Sequence, residues 1–144
     1  MLIDLITHLL LDRDQVTTMQ RDTGVHGSLY RGRYFNADDE PYRKCVAARE
    51  SNGRYWAVSP TENYRGAYQV SEALTVGMGW MIQKELRAMH VPTAKQIGAI
   101  LRAAPMNRWS RYWQDFGFWV TFNHDGKRSG AHHWAGGRYK CATR

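Results

Sequence analysis

The sequence CVAARESNG at positions 45–53, followed by YRGAYQ at positions 64–69, is the most informative part of this chain. The first segment is an apolar stretch that favours a helix, carries Glu50 near its end and then meets a Ser-Asn-Gly break. The second segment combines a glycine with two tyrosines and a glutamine. Together they predict one carboxylate on a rigid element that faces aromatic rings and an amide. A plain helix followed by a β-hairpin fits the same residues.

This arrangement suits an enzyme that protonates a glycosidic oxygen. Such a reaction needs a general acid, and a carboxyl that donates a proton near neutral pH is usually held among apolar groups. Glu50 meets that requirement, because Val46 and Ala47 lie on its own predicted helix and Tyr64 and Tyr68 return nearby. Phenol rings and amide groups can also stack on sugars and hydrogen-bond to them.

Length, hydropathy and charge limit the classes of protein to consider. The 144 residues fit one domain with a core, and no apolar run reaches the roughly 18 residues that membrane insertion needs. Residues 1–11 are apolar but carry Asp4 and His8 and have no basic start, so they make a poor signal peptide. If the protein works outside a cell, we expect its delivery by another route. The net charge of +7 predicts an anionic partner, either nucleic acid or a cell envelope, or a solvated basic surface. Since no zinc-finger or RNP-type motif accompanies the charge, we expect no nucleic-acid partner.

The two cysteines, Cys45 and Cys141, lie near the two ends of the predicted domain. In an oxidising compartment their pairing would close nearly the whole domain, with a stabilisation of about 4–5 kcal/mol in the chain-entropy model. Two free buried thiols are the alternative. The neighbouring His132 and His133 lack the i,i+4 spacing of metal ligands, so we expect no metal and no other cofactor.

Apolar spacing and capping signals predict five helices. Acidic residues and a proline at 38–41 mark the start of the helix that carries Glu50, because acids complement the helix dipole and proline suits the first helical position. Ser71 is the predicted cap of the next helix, and Thr93 with Gln96 forms a capping box. The predicted helices cover residues 2–20, the segment from 38–41 to 51–53, residues 72–90, residues 94–103, and a segment begun by Asn107 whose apolar side is Trp109, Tyr112, Trp113, Phe116, Trp119 and Val120.

The remaining segments are predicted to be non-helical. Alternating aromatic and small residues over 54–70 predict a short antiparallel sheet of two or three strands. The glycines and tyrosines of segment 24–35 predict an irregular arm, and the composition of residues 130–141 predicts a loop. We therefore predict an α+β fold that is mostly helical, with the small sheet beside the expected cleft.

Residues 45–141 resemble the lysozyme-like superfamily of peptidoglycan-cleaving enzymes. The likeness is closest to the resuscitation-promoting-factor and lytic-transglycosylase branches of actinobacteria and their phages. The motifs that carry it are Cys45, ESNGRY at 50–55, YRGAYQV at 64–70, and Trp134 with Cys141. Two departures matter: four residues separate Cys45 from Glu50, and Leu-Thr-Val at 74–76 stands where the family tends to have a Thr-Trp pair.

The resemblance implies a lysozyme-like catalytic domain over residues 41–144 that cleaves the β-1,4 bond between MurNAc and GlcNAc. As in lytic transglycosylases, Glu50 would protonate the leaving oxygen and then take a proton from the muramyl C6 hydroxyl, which leaves a 1,6-anhydro product. A muramidase that uses water would need a second carboxylate, for which Glu62, Glu72 and Asp115 are candidates. The implied substrate-binding residues are Ser51, Tyr64, Gly66, Tyr68, Gln69, Asn123 and Trp134.

The resemblance also implies a partner and a location. The partner would be the glycan strands of peptidoglycan, and the protein would act in a virion or outside the cell after phage delivery. Residues 1–40, an N-terminal helix and an extended arm outside the resemblance, would dock the enzyme to other phage tail or lysin proteins. The alternative is a non-catalytic peptidoglycan-binding or structural tail module with the same fold.

Overall fold

A computed structural model describes Leu10 and residues 25–143 of the chain. The helix predicted over residues 2–20 and the first residue of the predicted arm lie outside the described residues, apart from Leu10. Within residues 25–143 the α-helices are Glu40–Ser51 (α1), Glu72–Ala88 (α2), Ala94–Ala103 (α3) and Arg111–Asn123 (α4). Short 3₁₀ helices cover Ala37–Asp39, Met106–Arg108 and Ser129–Trp134.

The predicted boundaries of α1 and the predicted start of α2 are confirmed, while α2 ends two residues before the predicted residue 90. Pro41 lies in the first turn of α1, and the helix ends at Asn52, which adopts the left-handed conformation with φ 57°. Asn52 donates its backbone N–H to carbonyls of the last turn, a common helix ending. The Ser71 hydroxyl accepts from the backbone N–H of Leu74 at 3.1 Å and so caps α2.

Two capping predictions are wrong, and one predicted loop is partly helical. Thr93 precedes α3 but makes no side-chain capping hydrogen bond. Asn107 does not begin α4, because Ser110 precedes that helix and Asn107 lies in a 3₁₀ turn. The side chain of Asn107 instead accepts from Arg65 Nη1 at 3.2 Å, a tertiary contact that local sequence signals do not report. The segment predicted as a loop at 130–141 contains most of the 3₁₀ helix Ser129–Trp134.

The predicted sheet is reduced to isolated bridges. In residues 25–143 no strand forms, and the 54–70 segment makes two antiparallel bridges, Val58 with Arg65 and Arg65 with Val70. Left-handed backbone recurs in this segment and bends it away from an extended course. The positions concerned are Glu62 (φ 61°), Gly66 (φ 86°) and Gln69 (φ 48°). The described fold is therefore α-rich.

Helix α4 runs through the centre of the core. Its Phe118, Trp119 and Phe122 have no solvent exposure, whereas Tyr112 is 39% exposed. The predicted apolar side of this helix is therefore confirmed only in part, because burial extends around the helix to residues outside that side. Helix α2 packs against both α3 and α4. Tyr68 from the 54–70 segment stacks on Phe118 with ring centroids 4.7 Å apart, so this segment is tied to the helical core by an aromatic contact.

The arm that precedes α1 packs into the same core. Tyr30 is 3% exposed and stacks on Phe116 at a centroid distance of 4.3 Å. The indole Nε1 of Trp119 donates to Ser28 Oγ at 3.0 Å, and Leu10 is also buried. The described part of residues 1–40 thus shares its core with the rest of the domain, and residue 40 is not an edge of that core.

The expected disulfide between Cys45 and Cys141 is confirmed. The two residues lie 96 positions apart in sequence and their Cα atoms are 5.7 Å apart. The bond joins the middle of α1 to the C-terminal segment. It therefore holds that segment against the helix that carries Glu50.

Replacing both cysteines with alanine is expected to lower the free energy of unfolding by about 4–5 kcal/mol, because the unfolded chain regains the entropy that the long loop removes. Urea denaturation under oxidising conditions measures this change. Reduced wild-type protein is the control and should match the double variant. Equal stability of the oxidised wild type and the variant would contradict the prediction.

Alkaline pH should destabilise the protein through its buried tyrosines. Burial raises the pKa of Tyr30 and of Tyr42 to about 12, from an ordinary value of 10.0. Unfolded tyrosines therefore ionise first, so the stability contributed by these groups is complete below pH 10 and is lost as the pH rises towards 12. Free energies of unfolding across this range measure the loss.

The variant Tyr42→Phe is expected to lose less stability between neutral and alkaline pH than the wild type. Tyr139→Phe is the matched control, since that tyrosine is 48% exposed. An alkaline loss in Tyr42→Phe as large as that of the wild type would refute the assignment.

Candidate active site

Glu50 lies in a cleft between the end of α1, the 54–70 segment and the C-terminal segment. Its side chain is 22% exposed, so it is partly buried and still open to solvent. The cleft has a volume of about 280 Å³. Its lining residues are Arg49, Glu50, Tyr64, Gln69, His133, Trp134, Gly136 and Gly137. Of the residues predicted to form the site, the structure brings together Glu50, Tyr64, Gln69 and Trp134.

Arg49 fixes the Glu50 carboxylate from one side. Its Nε donates to Glu50 Oε2 at 2.7 Å, while its two terminal nitrogens donate to the carbonyls of Trp134 at 2.8 Å and Tyr139 at 3.1 Å. Consecutive helical residues do not normally face each other. The C-terminal carbonyls hold the guanidinium, and through it they position the carboxylate. The role of Arg49 was not predicted from the sequence, because an adjacent acid–base pair on a helix has no characteristic spacing.

Gly137 allows the C-terminal segment to approach Arg49. Its φ angle is 112°, a backbone conformation that other residues rarely adopt. A Cβ atom at this position would lie 2.5 Å from Arg49 Nε, so any side chain would push the guanidinium away. The neighbouring Gly136 has open space at the corresponding position.

His133 is a second lining residue that sequence analysis did not assign to the site. Burial lowers the pKa of its imidazole from 6.5, and the charges of His132 and His124 act in the same direction. The rings of His132 and His133 lie 4.0 Å apart. A neutral imidazole at the cleft offers one donor and one acceptor to a ligand.

Tyr64 and Gln69 form the opposite side of the cleft. The Tyr64 side chain is half-exposed and available for stacking. Gln69 adopts left-handed backbone with φ 48°, and its Nε2 donates to the Gly66 carbonyl at 3.0 Å. That bond orients the amide and leaves Oε1 as the atom for a ligand's donor. Trp134 is 4% exposed, and its Nε1 donates to the Tyr68 carbonyl at 3.0 Å.

Ser51 and Gly66 support the cleft from behind rather than contacting a ligand, which corrects the expected roles. The Ser51 hydroxyl is buried and donates to the Ala67 carbonyl at 2.8 Å, so it joins α1 to the turn that follows Gly66. A Cβ on Gly66 would lie 2.6 Å from Gln114 Oε1 and 2.7 Å from Met106 Cγ. The glycine is required by the packing of the interior, and not by space for a sugar.

Tyr68 and Asp115 belong to a buried network. Tyr68 is 1% exposed, and its hydroxyl and that of Tyr55 each donate to Asp115 Oδ1 at 2.5 Å. Burial raises the pKa of Asp115, while Arg43 and the two hydroxyls act against that rise. Asp115 is fully buried, so it cannot serve as the second carboxylate, and the Tyr68 side chain does not reach the cleft.

The other two acidic candidates lie in a neighbouring cavity. Glu62 and Glu72 line a cavity of about 600 Å³ that shares Tyr64 with the Glu50 cleft. Among the described residues, Glu50 is thus the only carboxylate that lines its cleft. Within the same residues, no group of three or more acidic, histidine or cysteine side chains could hold a metal ion.

Asn123 lies away from the cleft, at the C-terminal end of α4. Its amide donates to the Tyr34 carbonyl at 3.1 Å and accepts from the Arg128 N–H at 3.3 Å. These bonds tie the end of α4 to the arm and to the following turn. The expectation that Asn123 contacts substrate is therefore corrected, because its polar atoms are bonded to the backbone and it is not among the residues that line the cleft.

Substituting Gly137 with alanine is expected to lower the free energy of unfolding by about 1–3 kcal/mol, because alanine strains the left-handed backbone and displaces Arg49. Gly136→Ala is the control and should change stability far less, since its added methyl group meets open space. Chemical denaturation of both variants measures the difference. Equal effects of the two substitutions would contradict the contact assigned to Gly137.

No family model, curated protein or solved structure matches this chain. The likeness to lysozyme-like enzymes therefore rests on the motifs of the chain itself. In the described residues no helix is both long and apolar enough to cross a membrane.

Proposed function

We propose that this chain is a peptidoglycan-cleaving glycosidase that acts on the MurNAc–GlcNAc β-1,4 bond through Glu50. One observation carries the proposal: of the residues that the structure describes, Glu50 is the sole carboxylate lining a cleft that also contains the aromatic and amide groups of Tyr64, Gln69 and Trp134. The proposal includes a lysozyme-like fold, in which the bridged segment 58–70 takes the place of a small sheet beside the cleft.

A single glutamate suffices for lytic transglycosylase chemistry. Glu50 gives a proton to the glycosidic oxygen as the bond to that oxygen breaks. The resulting carboxylate then accepts the proton of the muramyl C6 hydroxyl, whose oxygen bonds to the anomeric carbon and yields the 1,6-anhydro ring. The burial of Asp115 and the position of Glu62 and Glu72 in the neighbouring cavity favour this route over a hydrolysis that needs two carboxylates.

Arg49 has a defined part in this mechanism. Arg49 donates its hydrogen bond to Glu50 Oε2. The proton is therefore transferred from and to the other oxygen, Oε1, which accepts no hydrogen bond from the described residues. The pair loosens when Glu50 carries its proton and tightens again once the carboxylate forms. Arg49 is therefore a positioning residue that stabilises the carboxylate after proton transfer.

The proposal extends to where the enzyme works. A net charge of +7 favours association with an anionic cell wall. We place the enzyme in a phage particle or lysin that delivers it to peptidoglycan, with residues outside the described part of the N-terminal segment as the contact to other phage proteins.

One observation favours a second candidate function, a non-catalytic module that binds peptidoglycan within a phage tail. The Arg49–Glu50 ion pair at 2.7 Å already satisfies one carboxylate oxygen, Oε2, without any ligand. In a binding module the same pair would simply hold the wall of the cleft.

The variant Glu50→Gln is expected to lose at least roughly 10²–10⁴ of the cleavage rate on purified peptidoglycan, because the amide keeps the shape and cannot donate a proton. Glu62→Gln, which removes an exposed acid outside the cleft, is the control and should retain the rate. Thermal unfolding of both variants checks that the fold is intact.

Mass spectrometry of the wild-type digest distinguishes the possible functions. Anhydromuramyl ends indicate a transglycosylase, and reducing ends indicate a hydrolase. A wild type that yields no product but still binds peptidoglycan would overturn the enzyme proposal in favour of the binding module.

A further inference from the structure

Another cavity, formed by the arm, the end of α2 and α4, contains an unsatisfied buried carboxylate. The cavity has a volume of about 270 Å³. The lining residues that matter here are Tyr30, Arg33, Glu85, Met89, Tyr112 and Phe116. The Glu85 side chain is 3% exposed, and its Oε2 has no hydrogen-bond partner within the described part of the chain. A buried carboxylate oxygen without a donor carries a large desolvation cost, so the site favours a cationic donor.

The cation that pairs with Glu85 among the described residues is Arg33, and it leaves one carboxylate oxygen unoccupied. Arg33 Nη1 lies 3.5 Å from Glu85 Oε1, the other carboxylate oxygen, and its side chain is 70% exposed. An exposed arginine with one long contact contributes little and is easily displaced. Oε2 therefore remains available to a ligand while Arg33 competes for the same charge.

The rest of the cavity suits an organic cation. Tyr30 stacks on Phe116 at 4.3 Å and meets the edge of Tyr112 at 6.0 Å, and aromatic faces attract ammonium groups. Leu86 and Met89 add apolar surface that an aliphatic stem would cover. An anion is excluded by the carboxylate, and a single carboxylate makes a poor site for a divalent metal.

From this combination we propose that the cavity around Glu85 binds a primary ammonium group carried on an aliphatic stem. The hydrogens of a primary ammonium satisfy Glu85 Oε2, which a quaternary ammonium could not do. The ligand is either a small free amine or the amine of a lysine-like side chain in a peptide. This site is separate from the Glu50 cleft and does not depend on the function proposed for that cleft.

Binding of n-pentylammonium, followed by chemical-shift changes in the NMR spectrum of the whole chain, tests the proposal. We expect saturable binding that shifts the Met89 methyl signal, and binding at least about tenfold weaker for pentan-1-ol, which keeps the stem without the charge. Failure of pentylammonium to bind, or equal binding of the alcohol, would overturn the proposal.

Variants assign the binding to Glu85. Glu85→Gln should weaken pentylammonium binding at least about tenfold, whereas Glu62→Gln, which removes an acid elsewhere, should leave it unchanged. Arg33→Gln should tighten binding, because it removes the competing cation and leaves the buried carboxylate in place. Undiminished binding by Glu85→Gln would refute the site, and weaker binding by Arg33→Gln would do so even if the first variant failed to fold.

The source of the amine is resolved with one further pair of probes. Nα-acetyl-lysine amide should bind more tightly than pentylammonium if the cavity recognises a peptide side chain, and more weakly if it recognises a small free amine. Its Nε-acetylated form should not bind in either case, and binding of that form would contradict a cation site.

Discussion

The buried carboxylate of Asp115 holds together four parts of this structure. Asp115 lies on α4 and accepts hydrogen bonds from the hydroxyls of Tyr55 and Tyr68, which belong to the segment after α1. It also accepts a hydrogen bond from the backbone N–H of Leu29 in the arm. Arg43 of α1 completes the group, 3.9 Å away. Each of these polar groups would be costly to bury alone, and the cluster lets all of them be buried together. Arm, helix and turn are thereby fixed relative to one another.

The Glu50 cleft depends on that arrangement. Tyr68 is anchored through its hydroxyl in the core, and its backbone carbonyl accepts the indole N–H of Trp134. The backbone carbonyl of Trp134 accepts a hydrogen bond from Arg49, and Arg49 in turn donates to the Glu50 carboxylate. A continuous series of contacts therefore links the core acid to the acid of the cleft. The disulfide fastens the C-terminal segment that completes the series.

The two acidic sites of the protein differ in how their charge is balanced. Glu50 has an arginine in close contact and a cleft open to solvent, which suits a group that exchanges a proton with a ligand. Glu85 has one long contact with the exposed Arg33, and its other carboxylate oxygen makes no hydrogen bond with the described residues of its aromatic cavity. This arrangement suits a group that binds a cationic ligand. The first group is the one we propose for catalysis, and the second is the one we propose for recognition.

Much of the helical framework could be read from the sequence, since its signals are local. Pro41 and Ser71 mark helix starts, and the apolar spacing that includes Trp119 marks part of the buried surface of α4. Each of these signals acts within a few residues. The cysteine pair was also predictable, because only one pairing is possible between two cysteines. The sequence likewise predicted Glu50, Tyr64, Gln69 and Trp134, which the fold does bring to one cleft.

What the sequence by itself determined was therefore which segments are helical and which side chains could carry chemistry. Only the tertiary structure decided which of those side chains face solvent. Tyr64 and Tyr68 have the same chemistry, yet one is half-exposed at the cleft and the other is buried against Asp115. Arg49 and the bare carboxylate of Glu85 had no local signature either. Their roles arise from contacts between residues far apart in the chain, where burial and pairing set the state of each polar group.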